Sequence, residues 1–300
     1  MREHGALGQA ALAQAAERKH GAWSAIRRFV RTKPLGTFGV LVISGIFLMA
    51  IFANVIAPYD PFETSSERKF VPPGQFPYLL GTDDQGKDLF SRVVFGARVS
   101  LYVGFLAVTM GTVVGSLLGT ISGYFGGWFD LLFQRVMDAV MSIPLIVLSV
   151  VIVSVLEPSL NNILIALAIG IIPSSGRVVR GAALGVKQNQ YVEAARAVGC
   201  SNSRILVLYI LPNVFAPIIV LGSVTLGAAI IAESSLGFLG LGPPPPLVSW
   251  GSQLSGTARL YMERAPWIAI VPGFAIMITV LSFNLLGDAL RDVLDPRLRS

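Results

Sequence analysis

The chain reads as an all-α integral membrane protein with about six transmembrane helices. Three observations predict this class. Hydrophobic residues fill 53% of the 300 positions and charged residues only 13%, against roughly 25% charged in a soluble domain. Six apolar stretches recur along the chain, most of them near the roughly 20 residues a helix needs to cross a bilayer. Basic clusters alternate with near-neutral segments between those stretches, and such clusters stay on the cytoplasmic side. The formal net charge of +6 is concentrated in the first 33 residues and in short loops. Lipid headgroups, not nucleic acid, are its natural counterpart.

Residues 1–33 are expected to be a cytoplasmic tail ending in an interfacial helix. Trp23, Ile26, Phe29 and Val30 share a face, with Arg27, Arg28, Arg31 and Lys33 around it. The apolar run after Pro34 is too long for a signal-peptide core and lacks a following cleavage site. Residues 34–57 are the first transmembrane helix, apolar from Gly36 to Ala57. Residues 58–98 are rich in Pro, Gly and Asp, with five basic and six acidic side chains, and are expected outside. Residues 99–288 form a core of five transmembrane helices. These are Val99–Ser122, Met141–Leu156, Ile163–Gly185 with an interruption at Pro173 to Gly176, Ile205–Ala232 and Ile268–Leu286. An outer turn spans Glu157–Asn162 and an outer segment Glu233–Ala265. Residues 289–300 are a cytoplasmic tail.

Within the second span, Gly111, Gly115 and Gly119 recur every four residues, a stripe that lets helices approach closely. Ordinary packing inside one subunit explains it. Gly81 to Asp88 nearly spells a phosphate-binding P-loop. Asp88 stands where a magnesium-ligating hydroxyl is required, and no strand precedes Gly81, so the stretch reads as a capped outer turn.

The segment from Val192 to Gly199 is a short helix stranded between spans. Val192, Ala195 and Val198 recur at helical spacing among small residues. Glu193 suits the positive helix start, and Arg196 lies one turn on, where it can pair with Glu193. Gly199 can end the helix in a left-handed conformation and Ser201 can cap the next. Arg177, Arg180, Lys187, Arg196 and Arg204 make this loop the second basic cluster, hence cytoplasmic. Read from physics alone, the helix is either a rigid knob or an amphipathic element resting on lipid.

The residues Glu193-Ala194-Ala195, Gly199 and the later Leu211-Pro212 resemble the EAA loop of permease subunits in bacterial ABC importers. Gly81 to Leu101, Gly123-Tyr124-Phe125-Gly126-Gly127, Ser235 to Gly242 and Phe283 to Asp288 extend the resemblance over nearly the whole chain beyond residue 25. Together they are similar to the second permease subunit of dipeptide, oligopeptide and nickel importers. The resemblance implies a type I importer (MetI-like) transmembrane domain whose coupling loop, residues 186–204, docks on an ATPase subunit. It implies a homologous permease as partner in a heterodimer, two ATP-binding subunits and an extracytoplasmic binding protein. It also implies that this chain needs no cofactor, since ATP is held by the partners. Trp250 and Arg259 are candidates for binding-protein contact. Four prolines at 243–246 and Cys200 depart from the family pattern but do not touch the coupling motif. Peptide is the expected cargo, with glutathione or nickel as alternatives.

Enzyme chemistry is disfavoured. His4 and His20 both lie in the tail, which leaves no histidine for a triad or metal cage within the membrane. Asp138, Glu157, Glu233 and Asp288 fall near expected span ends and read as solvated. An ion-gradient-driven transporter would want an ionisable residue at midspan or broken helices in symmetric halves. Pro173 and Pro212 do not supply that symmetry.

Overall fold

The computed structural model describes residues 27 and 29–294, apart from the side chains of 257 and 259. Of the expected interfacial helix, Trp23, Ile26 and Arg28 lie outside the described residues, and residues 29–32 are helical. Helix α1 is Pro34–Ile51, opened by a proline whose missing N–H costs nothing in a first turn. It breaks at Phe52, leaving a separate turn at Ala53–Ile56.

The outer segment ends ten residues earlier than expected, because α2 runs from Leu89 to Phe125. Asp88 is the reason. Its carboxylate accepts from the Ser91 N–H at 2.8 Å and caps the helix. Gly81 and Gly86, at φ +80° and +76°, shape the turn before it. Lys87 is held below the usual lysine range, first by burial and then by the charge on Arg92.

Helix α3, Gly127–Met141, buries Phe133 and Met137 and exposes Trp128, Leu131, Leu132 and Val136. Helix α4 covers Leu145–Leu156, starting after Pro144 and not at Met141. Its 12 residues reach only about 18 Å, short of the roughly 30 Å of bilayer hydrocarbon. With α3 it forms a pair bent by 85°, which counts as a sixth span if taken together. Five other helices are long and apolar enough to cross a membrane.

Helix α5, Leu160–Lys187, is continuous through Pro173, so the expected interruption is absent. The carbonyl that proline leaves without its helical donor is tolerable where a helix is packed among neighbours. Helix α6 is Gln190–Ala197. The fifth span runs from Asn202 to Leu241, with helix α7 at Leu211–Leu236 between π-helical turns at Leu206–Ile210 and Gly237–Leu241, the second kinked at Gly240, where φ is +83°. Glu233 therefore lies inside a helix, 1% exposed, and not in a solvated outer segment. A four-residue helix α8, Trp250–Gln253, folds back onto the bundle. The last helix, α9, extends from Trp267 to Leu294, eight residues beyond the expected end at Leu286.

Small residues govern the tightest packing. A Cβ built on Gly111, Gly115 or Gly119 of α2 would meet α5 at Ile171 Cβ (2.7 Å), Ile172 O (2.5 Å) or Gly176 O (2.2 Å). The glycine stripe thus seats α2 on α5 within this chain. On α1, Gly36 and Gly39 lie equally close to Ala289 and Ser282 of α9, and Lys33 pairs with Asp292. Leu41, Leu48, Val155, Ile270 and Phe274 are exposed, as lipid-facing side chains would be.

Candidate coupling site

At the end of the bundle where α2 finishes and α5 hands over to α6, a compact knob projects. Helix α6 is held from below. Val192 and Ala195 are buried in a cluster with Tyr124, Val179, Ala183, Ile205, Ile210 and Val214. Glu193, Ala194, Arg196 and Ala197 are exposed. Val198, expected on the same face as Val192, is 81% exposed instead. The last turn explains this: α6 closes at Ala197, and the chain turns away before the third repeat is reached.

That turn is a complete left-handed stop. Gly199 sits at φ +81°. The Cys200 N–H donates to Ala195 O at 3.0 Å and the Gly199 N–H to Arg196 O at 3.1 Å, the paired bonds of a Schellman cap. Cys200 packs against the buried cluster, supplying the apolar contact that accompanies such caps. Ser201 does occupy the N-cap position of the next turn, but its side chain makes no capping bond to the backbone. Its hydroxyl lies 3.3 Å from that of Ser203.

Tyr124 organises the base of the knob, and sequence reasoning gave it no role. It is 4% exposed, and its hydroxyl donates to Asn202 Oδ1 at 2.7 Å. Arg196 and Lys187 approach its ring, at 5.7 and 5.8 Å from the centroid. Arg196 therefore spends its charge on an aromatic face and makes no ion pair with Glu193 among the described residues. The clue available from sequence was the pair of helix-breaking glycines after Phe125, which ends α2 just beyond Tyr124.

A second missed feature braces the knob. Asp130 of α3 accepts from Arg180 of α5 through two bonds, at 2.6 and 2.5 Å, and from the Ser122 hydroxyl. Arg177 pairs with Asp138 further along the same two helices. Two basic side chains counted as orientation signals are therefore staples between α3 and α5. Bidentate geometry of this kind fixes direction as well as distance.

Pro212 is exposed and lies at the start of α7, directly after the π-helical turn. Tyr209 of that turn lies 6.3 Å from the ring of Tyr191 on α6. Glu193, Ala194, Ala195, Gly199 and Pro212 thus share one end of the bundle. Of the two outer candidates, only Trp250 has a described side chain. Trp250 is fully buried, with Nε1 donating to Val93 O at 2.9 Å and its N–H to Ser100 Oγ at 3.2 Å. It clasps α2 from within and presents nothing to a partner. The side chain of Arg259 lies outside the described residues. No group of His, Cys, Asp or Glu among the described residues is arranged to hold a metal ion.

Comparison with known proteins shows the family. Residues 115–300 match the family described as binding-protein-dependent transport system inner membrane component. Residues 22–73 match the N-terminal transmembrane domain of oligopeptide transport permease C. A dipeptide transport system permease protein of Alkalihalophilus pseudofirmus is 42% identical over 278 residues, 93% of this chain and 91% of the relative. One from Haemophilus influenzae is 42% identical over 266 residues, 87% of this chain and 90% of the relative. A glutathione transport system permease protein of Escherichia coli O6:K15:H31 is 41% identical over 280 residues, again 93% and 91%. With its multi-pass helical bundle and a matched region covering more than half its length, the chain belongs to the inner-membrane permease subunits of binding-protein-dependent ABC importers.

Proposed function

We propose that this chain forms one half of a peptide translocation pathway and receives the work of ATP hydrolysis through α6. A homologous permease would complete the pathway, two ATP-binding subunits would sit against the α6 end, and an extracytoplasmic binding protein would deliver cargo. The observation that carries the reading is the shape of the knob. Its buried face is locked to three spans through Tyr124, Val179 and Ile210, while Glu193 and Ala194 face outward. A lipid-resting helix would present large apolar side chains outward, as α3 does with Trp128 and Leu131. Within residues 190–199 the exposed large apolar side chains are Val198 and the ring of Tyr191. Dipeptides are the leading cargo because two relatives carry that name. Glutathione, itself a small peptide, is the second reading, favoured by the equally similar glutathione permease.

Deleting the ATPase partner should abolish dipeptide uptake in cells that retain normal proton and sodium gradients. Uptake that persists would sink the reading. The Glu193→Lys variant should still insert and accumulate, because reversing a charge at an exposed helix start costs only about 0.3–1 kcal/mol. Its uptake should nevertheless fall, with ATPase co-purification weakened. For orientation, both termini and α6 are proposed to be cytoplasmic, as the basic clusters require. A reporter fused after Gln190 should report the cytoplasm, and one after Glu67 the opposite side. A Gln190 fusion read outside would overturn both the orientation and the coupling role.

A further inference from the structure

At the end of the bundle opposite α6, between the start of α2 and the fold-back at α8, lies a polar cavity of about 230 Å³. Asp83, Arg92, Ser252, Gln253 and Ser255 line it. Its free hydrogen-bonding capacity is sorted by sign. Gln253 is 6% exposed, and its Nε2 donates to Arg92 O at 3.1 Å and Ser249 O at 3.2 Å. Its Oε1 is buried and has no partner. The Ser255 hydroxyl donates to Ser252 O at 2.7 Å, which leaves its oxygen free to accept. Asp83 Oδ1 accepts from the N–H groups of Gln85 and Lys87, both at 2.9 Å. Its Oδ2 forms an ion pair with Arg92 Nε at 3.8 Å, too long for a hydrogen bond and so with its lone pairs still to fill.

Arg92 supplies the opposite character. Its side chain is 14% exposed. Its one hydrogen bond within the described protein runs from a terminal nitrogen to Pro61 O at 3.4 Å. A guanidinium carries five N–H donors in a fixed fork, so most of that capacity is unspent. The cavity therefore joins a cationic fork to three acceptors: Gln253 Oε1, Ser255 Oγ and Asp83 Oδ2. A lone anion would satisfy the fork and leave the buried amide oxygen orphaned. A lone cation would do the reverse.

We propose that this cavity binds a short zwitterionic peptide through its two termini, with the carboxylate on Arg92 and the ammonium on Gln253, Ser255 and Asp83. A carboxylate accepts the guanidinium fork in bidentate fashion, and an ammonium has three donors for three acceptors. The bound state gives Gln253 Oε1, buried and without a partner among the described residues, the donor whose lack is costly. The position, on the face away from the ATPase side, suits a waypoint for cargo leaving a binding protein. The substrate class rests on the peptide-import reading above.

The test uses the complete importer in nanodiscs, both permeases and both ATPases, with the binding protein omitted. Dialanine is the probe, followed by ligand-observed saturation-transfer NMR, beside N-acetyl-dialanine and dialanine amide. Dialanine should give a signal, and blocking either terminus should reduce occupancy about tenfold, the worth of one charge-assisted contact. Arg92→Gln and Gln253→Met should do the same, whereas Arg92→Lys should retain part of the signal. If Arg92→Gln does not assemble, Ser255→Val blocks the ammonium side and carries the same expectation. Equal signals from all three probes, or an unchanged signal in Gln253→Met and Ser255→Val, would reduce the cavity to a water site. No signal in a preparation that imports dialanine once its binding protein is added would overturn the inference and spare the import reading. Absence of import with the binding protein present would sink the import reading, while the NMR comparison still decides the cavity.

Discussion

Replacing Gly119 with valine is expected to remove the subunit from the membrane. The first atom added would stand 2.2 Å from Gly176 O, and the nearby Gly176 backbone leaves no flexible side chain to yield. Helices α2 and α5 would have to separate along their whole contact. Overpacking costs about 1–3 kcal/mol in a core that can relax, and more where backbone meets backbone. Steady-state abundance of Gly119→Val should fall at least about tenfold, since each 1.4 kcal/mol is a factor of ten. Gly181→Val is the control. A Cβ there meets nothing within 4 Å, and abundance should stay near that of the parent. Equal abundance of the two variants would refute the close-packed seam.

Gly199→Val should leave the subunit in place and stop transport. Here the space is open, with nothing within 4 Å of an added Cβ, so no collision occurs. The cost is conformational: a β-branched residue at φ +81° carries about 1–3 kcal/mol of strain. The Schellman bonds from Cys200 and Gly199 would open, and α6 would end in a different direction. Uptake should drop at least about tenfold while abundance and partner assembly are measured separately. Gly199→Asn is the informative companion, because asparagine accepts the left-handed region. It should restore most of the uptake that valine removes. Parental uptake by the valine variant would mean that α6 carries no load.

The sequence revealed the knob because its signals are local. Small residues, an acidic first turn and a terminal glycine all fall within eight positions, and the backbone at Gly199 adopts the conformation that pattern implies. The glycine stripe of α2 was legible for the same reason, and its period gave the seam without the partner. What escaped was set by residues far apart. Asp130 and Arg180 are separated by 50 positions, and nothing in either neighbourhood marks the pair. Glu233 looked like the end of a span because carboxylates usually are. Its burial depends on neighbours from distant stretches, in particular the fold-back at Trp250, which brings α8 against Gly237 and Ser234. Pro173 looked like an interruption on local grammar alone. In a packed bundle, neighbouring helices hold a proline-bearing helix straight, and that support has no signature at the proline.

The two π-helical turns of the fifth span bear on how displacement passes through the molecule. Leu206–Ile210 and Gly237–Leu241 each interrupt the regular hydrogen-bond ladder, the points at which a helix bends most cheaply. Between them α7 runs for 26 residues, about 39 Å, with Pro217 removing one ladder hydrogen bond near the α6 end. One pivot adjoins α6 and the other adjoins the Trp250 clasp. A shaft hinged at both ends behaves as a connecting rod, and its stiff part is the stretch beyond Pro217, from Ile218 to Leu236.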